Sequence, residues 1–137
     1  MTFDAQNPGR LAEFWATTLN YVPQPPPEGF DTWEDVGRAY GIPEERWGDF
    51  AAVVDPDGVG PRLLFLKVPE GKSAKNRVHL DVPASAGDST SEQGWARIEA
   101  HRDRLLAAGA TAVEDRSDFG SRWIVLLDPE GNEFCVT

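Results

Sequence analysis

The chain contains only one cysteine and two histidines among its 137 residues. A single cysteine excludes an internal disulfide, which fits a reducing compartment, and two histidines leave few candidates for metal or acid–base chemistry. No segment approaches the ~20 consecutive apolar residues that cross a bilayer, and the first residues lack the basic and apolar regions of a leader peptide. We therefore expect a cytoplasmic protein with no membrane partner.

Basic residues are also scarce. Lys and Arg number 13 against 23 Asp and Glu, which gives a formal net charge of −10. Nucleic-acid binding requires a basic surface to neutralise phosphates, and the basic residues of this chain form no cluster. We expect no nucleic-acid partner. The five Trp and seven Phe are enough for the core of a single domain over residues 1–137.

One turn motif is present twice. Residues 55–58 read Asp-Pro-Asp-Gly, and residues 128–131 read Asp-Pro-Glu-Gly. Each copy follows an apolar run, 51–54 or 124–127, and precedes a second segment, 62–66 or 132–136, so each predicts a strand, a tight turn and a partner strand. Two copies in the same context predict one structural unit that is built twice.

The two halves also share the elements that precede the turn. The first half predicts a helix with Asn7 as N-cap and an apolar face from Leu11 to Leu19, and the second predicts one with a capping box at Ser89 and a stripe from Trp95. Candidate strands flank these helices at 2–5 and 21–24, and at 77–82 and 111–115. Both halves therefore read strand, helix, strand, strand, strand, with module 1 at about 1–70 and module 2 at about 75–137.

Residues 25–49 form an insertion that the second half lacks. It begins with three prolines, and Asp31 predicts the cap of a short helix that Gly41 interrupts before another turn at 44–47. A long insertion in a compact domain is usually a lid over a site or a surface elaboration. Its aromatic residues, Trp33 and Trp47 among them, favour either a lid or a dimer contact.

Ionisable side chains recur on the predicted strand at 77–82. Alternation places Arg77, His79 and Asp81 on one face and apolar residues on the other, which indicates either a site or a polar network that holds the sheet. Glu133 and Cys135 share a face of the last strand, and together with His79 they are residue types that bind transition metals. Their spacing is no metal signature. His101 lies in the middle of a helix, and we expect it to be solvated.

These motifs together resemble the vicinal oxygen chelate superfamily, in its glyoxalase-like and bleomycin-resistance-like branch. The resemblance rests on segments that span nearly the whole chain: 7–15, the Trp-containing insertion, 55–58, 75–81, and 122–135 with its closing Asp-Pro-Glu-Gly-Asn-Glu-Phe-Cys. It implies an α+β fold in which two βαβββ modules form a curled mixed sheet around a cleft. It also implies a homodimer.

Metal-dependent members of that superfamily take ligands from the first and last strands of each module. Carried over to this chain, the second-module positions fall on His79, which matches, and on Cys135, two beyond Glu133, which departs from the pattern. In the first module the last-strand position falls near Leu66, which cannot bind a metal, and the first-strand position would precede Met1. We therefore expect no cofactor, with His79, Glu133 and Cys135 as weak candidates for a divalent metal.

The leading hypothesis is a small-molecule-binding protein with a degenerate metal site and a hydrophobic or aromatic ligand in the cleft. One alternative is a metal-dependent lyase, isomerase or dioxygenase in which His79 acts as metal ligand or general base. Another is a non-catalytic interaction module. The predicted ligand-binding residues are Arg77, His79, Asp81, Glu133, Phe65 and Trp123, with Trp33 or Trp47 closing over the site.

Overall fold

The computed structural model describes residues 1–137, which divide into two compact units, Met1–Gly71 and Lys72–Thr137. Each unit has one four-stranded mixed sheet. None of the helices combines the length and the apolar composition that a bilayer crossing requires. Mixed sheets with few helices confirm the predicted α+β class.

The first unit contains four strands and three helical segments. They are, in chain order, β1 (Thr2–Ala5), α1 (Pro8–Leu19), β2 (Val22–Pro23), α2 (Trp33–Ala39), a 3-10 helix (Glu44–Asp49), β3 (Phe50–Val54) and β4 (Leu63–Lys67). The strand order across the sheet is β1-β4-β3-β2. β1 runs parallel to β4, whereas the other pairs are antiparallel.

The second unit repeats this arrangement with β5 (Leu80–Val82), α3 (Glu92–Ala107), β6 (Thr111–Asp118), β7 (Ser121–Leu127) and β8 (Glu133–Val136). Its strand order is β5-β8-β7-β6, and again only the pair formed by the first and last strands, β5 and β8, is parallel. The two sheets thus have the same topology, which confirms the duplicated unit that the repeated turn predicts.

The α1 helix begins as predicted. The Asn7 side chain accepts a hydrogen bond from the backbone N–H of Arg10 at 3.1 Å, and Pro8 occupies the first turn. Such a cap contributes about 1 kcal/mol. The helix buries Leu11, Phe14 and Trp15 against the sheet, where Phe3 lies between the rings of Trp15 and Phe65. This aromatic cluster forms the core of the first unit.

The α3 helix begins two residues later than its predicted cap. Ser91, not Ser89, accepts the hydrogen bond from the Gly94 N–H. The reason is the preceding loop, in which the Asp88 carboxylate accepts from the N–H groups of Thr90 and Ser91 and holds them in a turn. The helix buries Trp95, Ile98 and Leu105 on one side, as the periodicity predicts.

The repeated turns are closed by their first residue in both units. The Asp55 carboxylate accepts hydrogen bonds from the backbone N–H groups of residues 57, 59 and 60, and these bonds lower its pKa. The buried Asp128 carboxylate accepts from the N–H groups of residues 130 and 132 and from the Asn132 amide. Gly58 and Gly131 both have positive φ, 69° and 87°. The motif therefore requires Asp as well as Pro and Gly.

The connection between the second and third strands differs most between the units. In the first unit it holds α2 and the 3-10 helix, and the N-cap of α2 is Thr32 rather than the expected Asp31, because the Thr32 hydroxyl accepts from the Asp35 N–H. In the second unit, β6 and β7 are joined only by Phe119 and Gly120, with φ values of 48° and 82°. Positive φ at both positions is typical of a tight type I′ hairpin turn.

Candidate functional site

The strand that was expected to carry the polar triplet is shorter than predicted. β5 begins at Leu80, so Arg77 and His79 precede the sheet and only Asp81 lies on it. Val78, assigned to the apolar face, is 77% exposed. The parallel ladder begins where Leu80 pairs with Phe134, near the start of β8, so residues before Leu80 have little partner strand left. The predicted alternation over 77–82 is therefore wrong at its first half.

The second sheet has one apolar and one polar face. Phe134 and Val136 are fully buried on the side of α3, so Glu133 and Cys135 lie on the opposite side. The strand register places Asp81 and Val125 beside Cys135, on β5 and β7 respectively, and pairs Trp123 with Arg116 further along. We call Asp81, Cys135, Val125, Trp123 and Arg116 the polar face of the second sheet.

Cys135 is held as a neutral thiol. Burial raises the pKa of its thiol, the negative charge of Asp81 raises it further, and the positive charges of Arg116 and Lys75 oppose the shift. A thiolate, not a thiol, is the nucleophile and the metal ligand. At neutral pH, Cys135 therefore presents an S–H group to this face.

Glu133 holds the segment that leads into β5. Its Oε2 atom lies 2.8 Å from Lys72 Nζ and accepts a hydrogen bond of 3.0 Å from the Asn76 N–H. The two side chains of the ion pair are only 17% and 23% exposed. The Lys72 ammonium, followed by the Asn76 N–H, lowers the pKa of Glu133 from 4.5 to about 2. Glu133 is thus ionised at neutral pH and cannot supply a proton.

His79 lies on the surface beside this anchored segment. Its Nε2 atom is 3.3 Å from Lys75 Nζ and 3.3 Å from the Asn76 carbonyl oxygen. The backbone of Asn76 consequently links His79 to Glu133, since its N–H binds the glutamate and its carbonyl faces the imidazole. The structure brings these two predicted residues to the same segment, and it places Asp81 beside Cys135.

The remaining predicted ligand-binding residues are Phe65, Trp33 and Trp47 of the first unit and Trp123 of the second. Phe65 is fully buried under α1 and stacks on Phe3 at 5.2 Å, so its assignment as a wall of the site is wrong. Trp33 and Trp47 lie in the insertion, where their indole N–H groups donate to the carbonyls of Gln24 and Ile42. Trp123 is half-buried on the polar face.

Two residues of the polar face were missed from the sequence. Arg116 and Val125 occupy it because the two-residue turn at Phe119 and Gly120 fixes the register of β6 against β7. Alternation within 121–127, counted back from the buried Ile124 and Leu126, would have placed Trp123 and Val125 on one face. Arg116 follows only once the hairpin turn is assigned, and β6 was predicted to end at Asp115.

The donor groups do not fit a metal ion. Among the 137 described residues, no three side chains of His, Cys, Asp or Glu converge in a group that could hold one. Glu133 is already bound to an ammonium group, and Cys135 is protonated. On the first sheet, β4 buries Leu63 and Phe65, so the opposite face presents Leu64 and Leu66, neither of which has a donor atom.

Comparison with known proteins places this fold. The family model of the glyoxalase-like domain matches residues 1–137. A glyoxalase/bleomycin resistance protein/dioxygenase family enzyme from Burkholderia phytofirmans is similar in structure, with a TM-score of 0.61 and 15% identity over 99% of this chain and 93% of that one. A possible glyoxalase from Bacillus cereus gives 0.60 and 15% over 100% and 94%.

A third similar structure is a mutant of the fosfomycin resistance protein FosX from Listeria monocytogenes, in complex with Mn(II) and dihydroxypropylphosphonic acid. Its TM-score is 0.61, with 9% identity over 98% of this chain and 83% of that one. At these identities the structures show a shared fold and nothing finer. A comparison with curated proteins gives no match. The family match over the full length nevertheless decides the family, and the chain belongs to the glyoxalase-like domain proteins of the vicinal oxygen chelate superfamily.

Proposed function

We propose that the protein binds a small hydrophobic or aromatic molecule on the polar face of the second sheet and that it does so without a metal. The observation that carries this proposal is the position of Trp123 and Val125. Both are only half-buried, and the strand register sets them between the Asp81 and Cys135 pair and Arg116. An apolar surface with a few polar groups at its edge is the usual composition of a ligand site.

The polar groups of the site determine which hydrogen-bonding groups the ligand must carry. Cys135 supplies a neutral S–H group, Asp81 a carboxylate acceptor, and Arg116 a guanidinium that is already paired with Glu114. None of them is a strong nucleophile at neutral pH. Since these groups flank the apolar surface on both sides, they suit a ligand that is apolar in its middle and has hydrogen-bonding atoms at its ends.

Fluorescence titration with anilinonaphthalene sulfonate, an aromatic probe that carries one sulfonate group, tests the proposal. We expect saturable binding that Trp123→Ala weakens by about tenfold, since the substitution removes most of an aromatic contact surface. Tyr40→Ala, at an exposed aromatic position outside the polar face, is the control and leaves the affinity unchanged. Binding that is indifferent to Trp123→Ala contradicts the proposed site, and no saturable binding favours the interaction-module alternative.

The metal-dependent alternative has one observation in its favour, the Mn(II) held by the similar FosX structure. In this chain a bound metal would depend on His79, because Glu133 is paired with Lys72 and Cys135 is protonated. A His79→Ala variant separates the two hypotheses. If no metal takes part in binding, His79→Ala leaves the affinity of the polar face for the fluorescent probe unchanged.

A further inference from the structure

The insertion of the first unit forms a second aromatic cluster of its own. Trp33 meets Phe50 edge to face, with ring centroids 5.6 Å apart, and Trp47 packs against α2. Both indole N–H groups donate to backbone carbonyls, at 2.8 Å for Trp33 and 2.9 Å for Trp47. These hydrogen bonds hold both rings in place, and both indole N–H groups find their acceptors outside the aromatic cluster.

These rings line two adjoining cavities. One of about 60 Å³ is lined by Trp33, Trp47 and Phe50 together with Glu34 and Ile42. The other, of about 190 Å³, shares Trp33 and Phe50 as walls and extends along Ala51 and Ala52 of β3. The smaller cavity suits a compact head group, and the larger one suits an apolar tail attached to it.

Glycine at position 37 sets the shape of the smaller cavity. A Cβ atom at Gly37 would lie 2.5 Å from Trp47 Nε1 and 2.8 Å from Cε2, so any other residue would displace the indole. The absence of a side chain lets Trp47 rest directly on the backbone of α2. Trp47 is thereby held as a wall of the cavity.

The charge around the cavities is strongly negative. Residues 25–49 contain seven Asp or Glu and two Arg, so they carry −5 of the net charge of −10. Both arginines are already paired, Arg38 with Asp35 at 2.9 Å and Arg46 with Asp49 at 3.1 Å. Glu34, the carboxylate that lines the smaller cavity, takes part in none of the ion pairs of the chain.

A cation already rests on one of these rings. The guanidinium of Arg38 lies 5.2 Å from the centroid of Trp47. Aromatic faces attract cations through their quadrupole, and cages of aromatic side chains bind alkylated ammonium groups for this reason. We propose that the insertion binds a small organic cation, an alkylated ammonium group on an apolar chain, between Trp33, Trp47 and Phe50 with Glu34 as counter-charge.

This site is built from residues of the first unit, whereas the polar face is built from residues of the second unit. Its test uses choline and the neutral isostere of choline, dimethylbutanol, in which a tert-butyl group replaces the trimethylammonium group. Binding to the full chain is followed by tryptophan fluorescence and isothermal calorimetry. We expect choline to bind at least about tenfold more tightly than its isostere, since only the charged form gains the cation–π attraction.

Single substitutions test where choline binds. Glu34→Gln and Trp33→Phe weaken the affinity for choline several-fold, whereas Glu44→Gln, an exposed acid of the same insertion outside the cavity lining, leaves it unchanged. Trp123→Ala also leaves it unchanged, so this site and that of the proposed function fail independently. Equal binding of the two isosteres, an equal effect of Glu34→Gln and Glu44→Gln, or no binding of choline overturns the proposal.

Discussion

Glu133 stabilises the entry to β5 with a charge. The carboxylate binds one ammonium group and one backbone N–H from a segment that has no regular structure of its own. A lowered pKa in the folded state means that the folded protein favours the ionised carboxylate. Its stabilisation is fully present above the unfolded pKa of about 4.5 and is lost as the pH falls towards about 2.

Glu133→Gln should therefore lower the free energy of unfolding by about 1 to 3 kcal/mol near neutral pH. The difference from the wild type should shrink as the pH falls from about 4.5 to about 2, because the wild-type carboxylate becomes protonated over that range. Urea unfolding at several pH values measures this difference. Glu70→Gln, at an exposed position, is the control, and a pH-independent cost for Glu133→Gln would contradict the ion-pair account.

Cys135 offers a chemical readout of the charges on the polar face. Since a thiolate is the reactive form, its raised pKa predicts slow alkylation by iodoacetamide in the folded protein and fast alkylation in urea. Asp81→Asn should accelerate the folded reaction, because it removes a negative charge that raises the thiol pKa.

Arg116→Gln should slow the same reaction, because it removes a positive charge that lowers the thiol pKa. Mass spectrometry of the alkylated protein follows both variants. Opposite signs for Asp81→Asn and Arg116→Gln are the expected outcome. Equal acceleration by both would show that they act by loosening the sheet and not through charge.

At the scale of elements, α3 depends on a glycine near its start. A Cβ atom at Gly94 would lie 1.6 Å from the carbonyl oxygen of Asp88, so the loop before the helix lies directly against the helix backbone. Glycine within a helix usually costs up to about 1 kcal/mol relative to alanine. Here the contact reverses that preference.

Gly94→Ala should destabilise the protein by about 2 kcal/mol or more, because Asp88 would have to move and lose its hydrogen bonds to Thr90 and Ser91. Gln93→Ala, at the exposed neighbouring position, should change the stability by less than about 0.5 kcal/mol. Thermal unfolding followed by circular dichroism compares the two. If Gly94→Ala left the stability unchanged or raised it, the loop before α3 would be able to move away from the helix at no cost in stability.

The order of elements could be predicted from the sequence because local signals determine it. Asn7 and Pro8 define a helix start, and the repeated turn defines two hairpins, irrespective of what packs on them. The site could not be predicted to the same extent. The pairing of Leu80 with Phe134 limits the length of β5. Such pairing joins distant segments of the chain, so the pattern of polar and apolar residues around His79 does not reveal it.

The error at Phe65 has a related cause. Alternation along β4 distinguishes two faces, but it does not say which of two apolar sets, Leu63 with Phe65 or Leu64 with Leu66, lies under the helix. In β8, by contrast, Glu133 and Cys135 differ from their neighbours, and the face that they occupy was predictable. Sequence patterns therefore identified the polar face more reliably than its apolar counterpart.

At the scale of the molecule, the shared fold does not carry a metal site with it. The FosX structure of similar fold holds Mn(II), whereas the donor groups of this chain do not converge. We expect Mn(II), Zn(II), Ni(II) or Fe(II) in excess to shift the melting temperature by less than about 1 °C, because a ligand stabilises only the state to which it binds. Differential scanning fluorimetry with and without chelator measures this shift. A rise of several degrees that His79→Ala abolishes would restore the metal-dependent alternative.

The predicted homodimer and the cytoplasmic location stay predictions. Light scattering at micromolar concentration decides the first. The exposed apolar side chains available to such a contact include Tyr40, Val59, Val78 and Phe119, the last of which is fully exposed.

The turn at Phe119 and Gly120 has a consequence for protein engineering. It joins β6 to β7 with two residues at the same place in the topology where the first unit joins β2 to β3 through α2 and the 3-10 helix. One fold thus accepts both a minimal and a helical connection without any change in strand order. Because each doubling of a flexible loop costs only about 0.6 kcal/mol, the hairpin tip is a suitable acceptor for a grafted segment as long as residues 25–49.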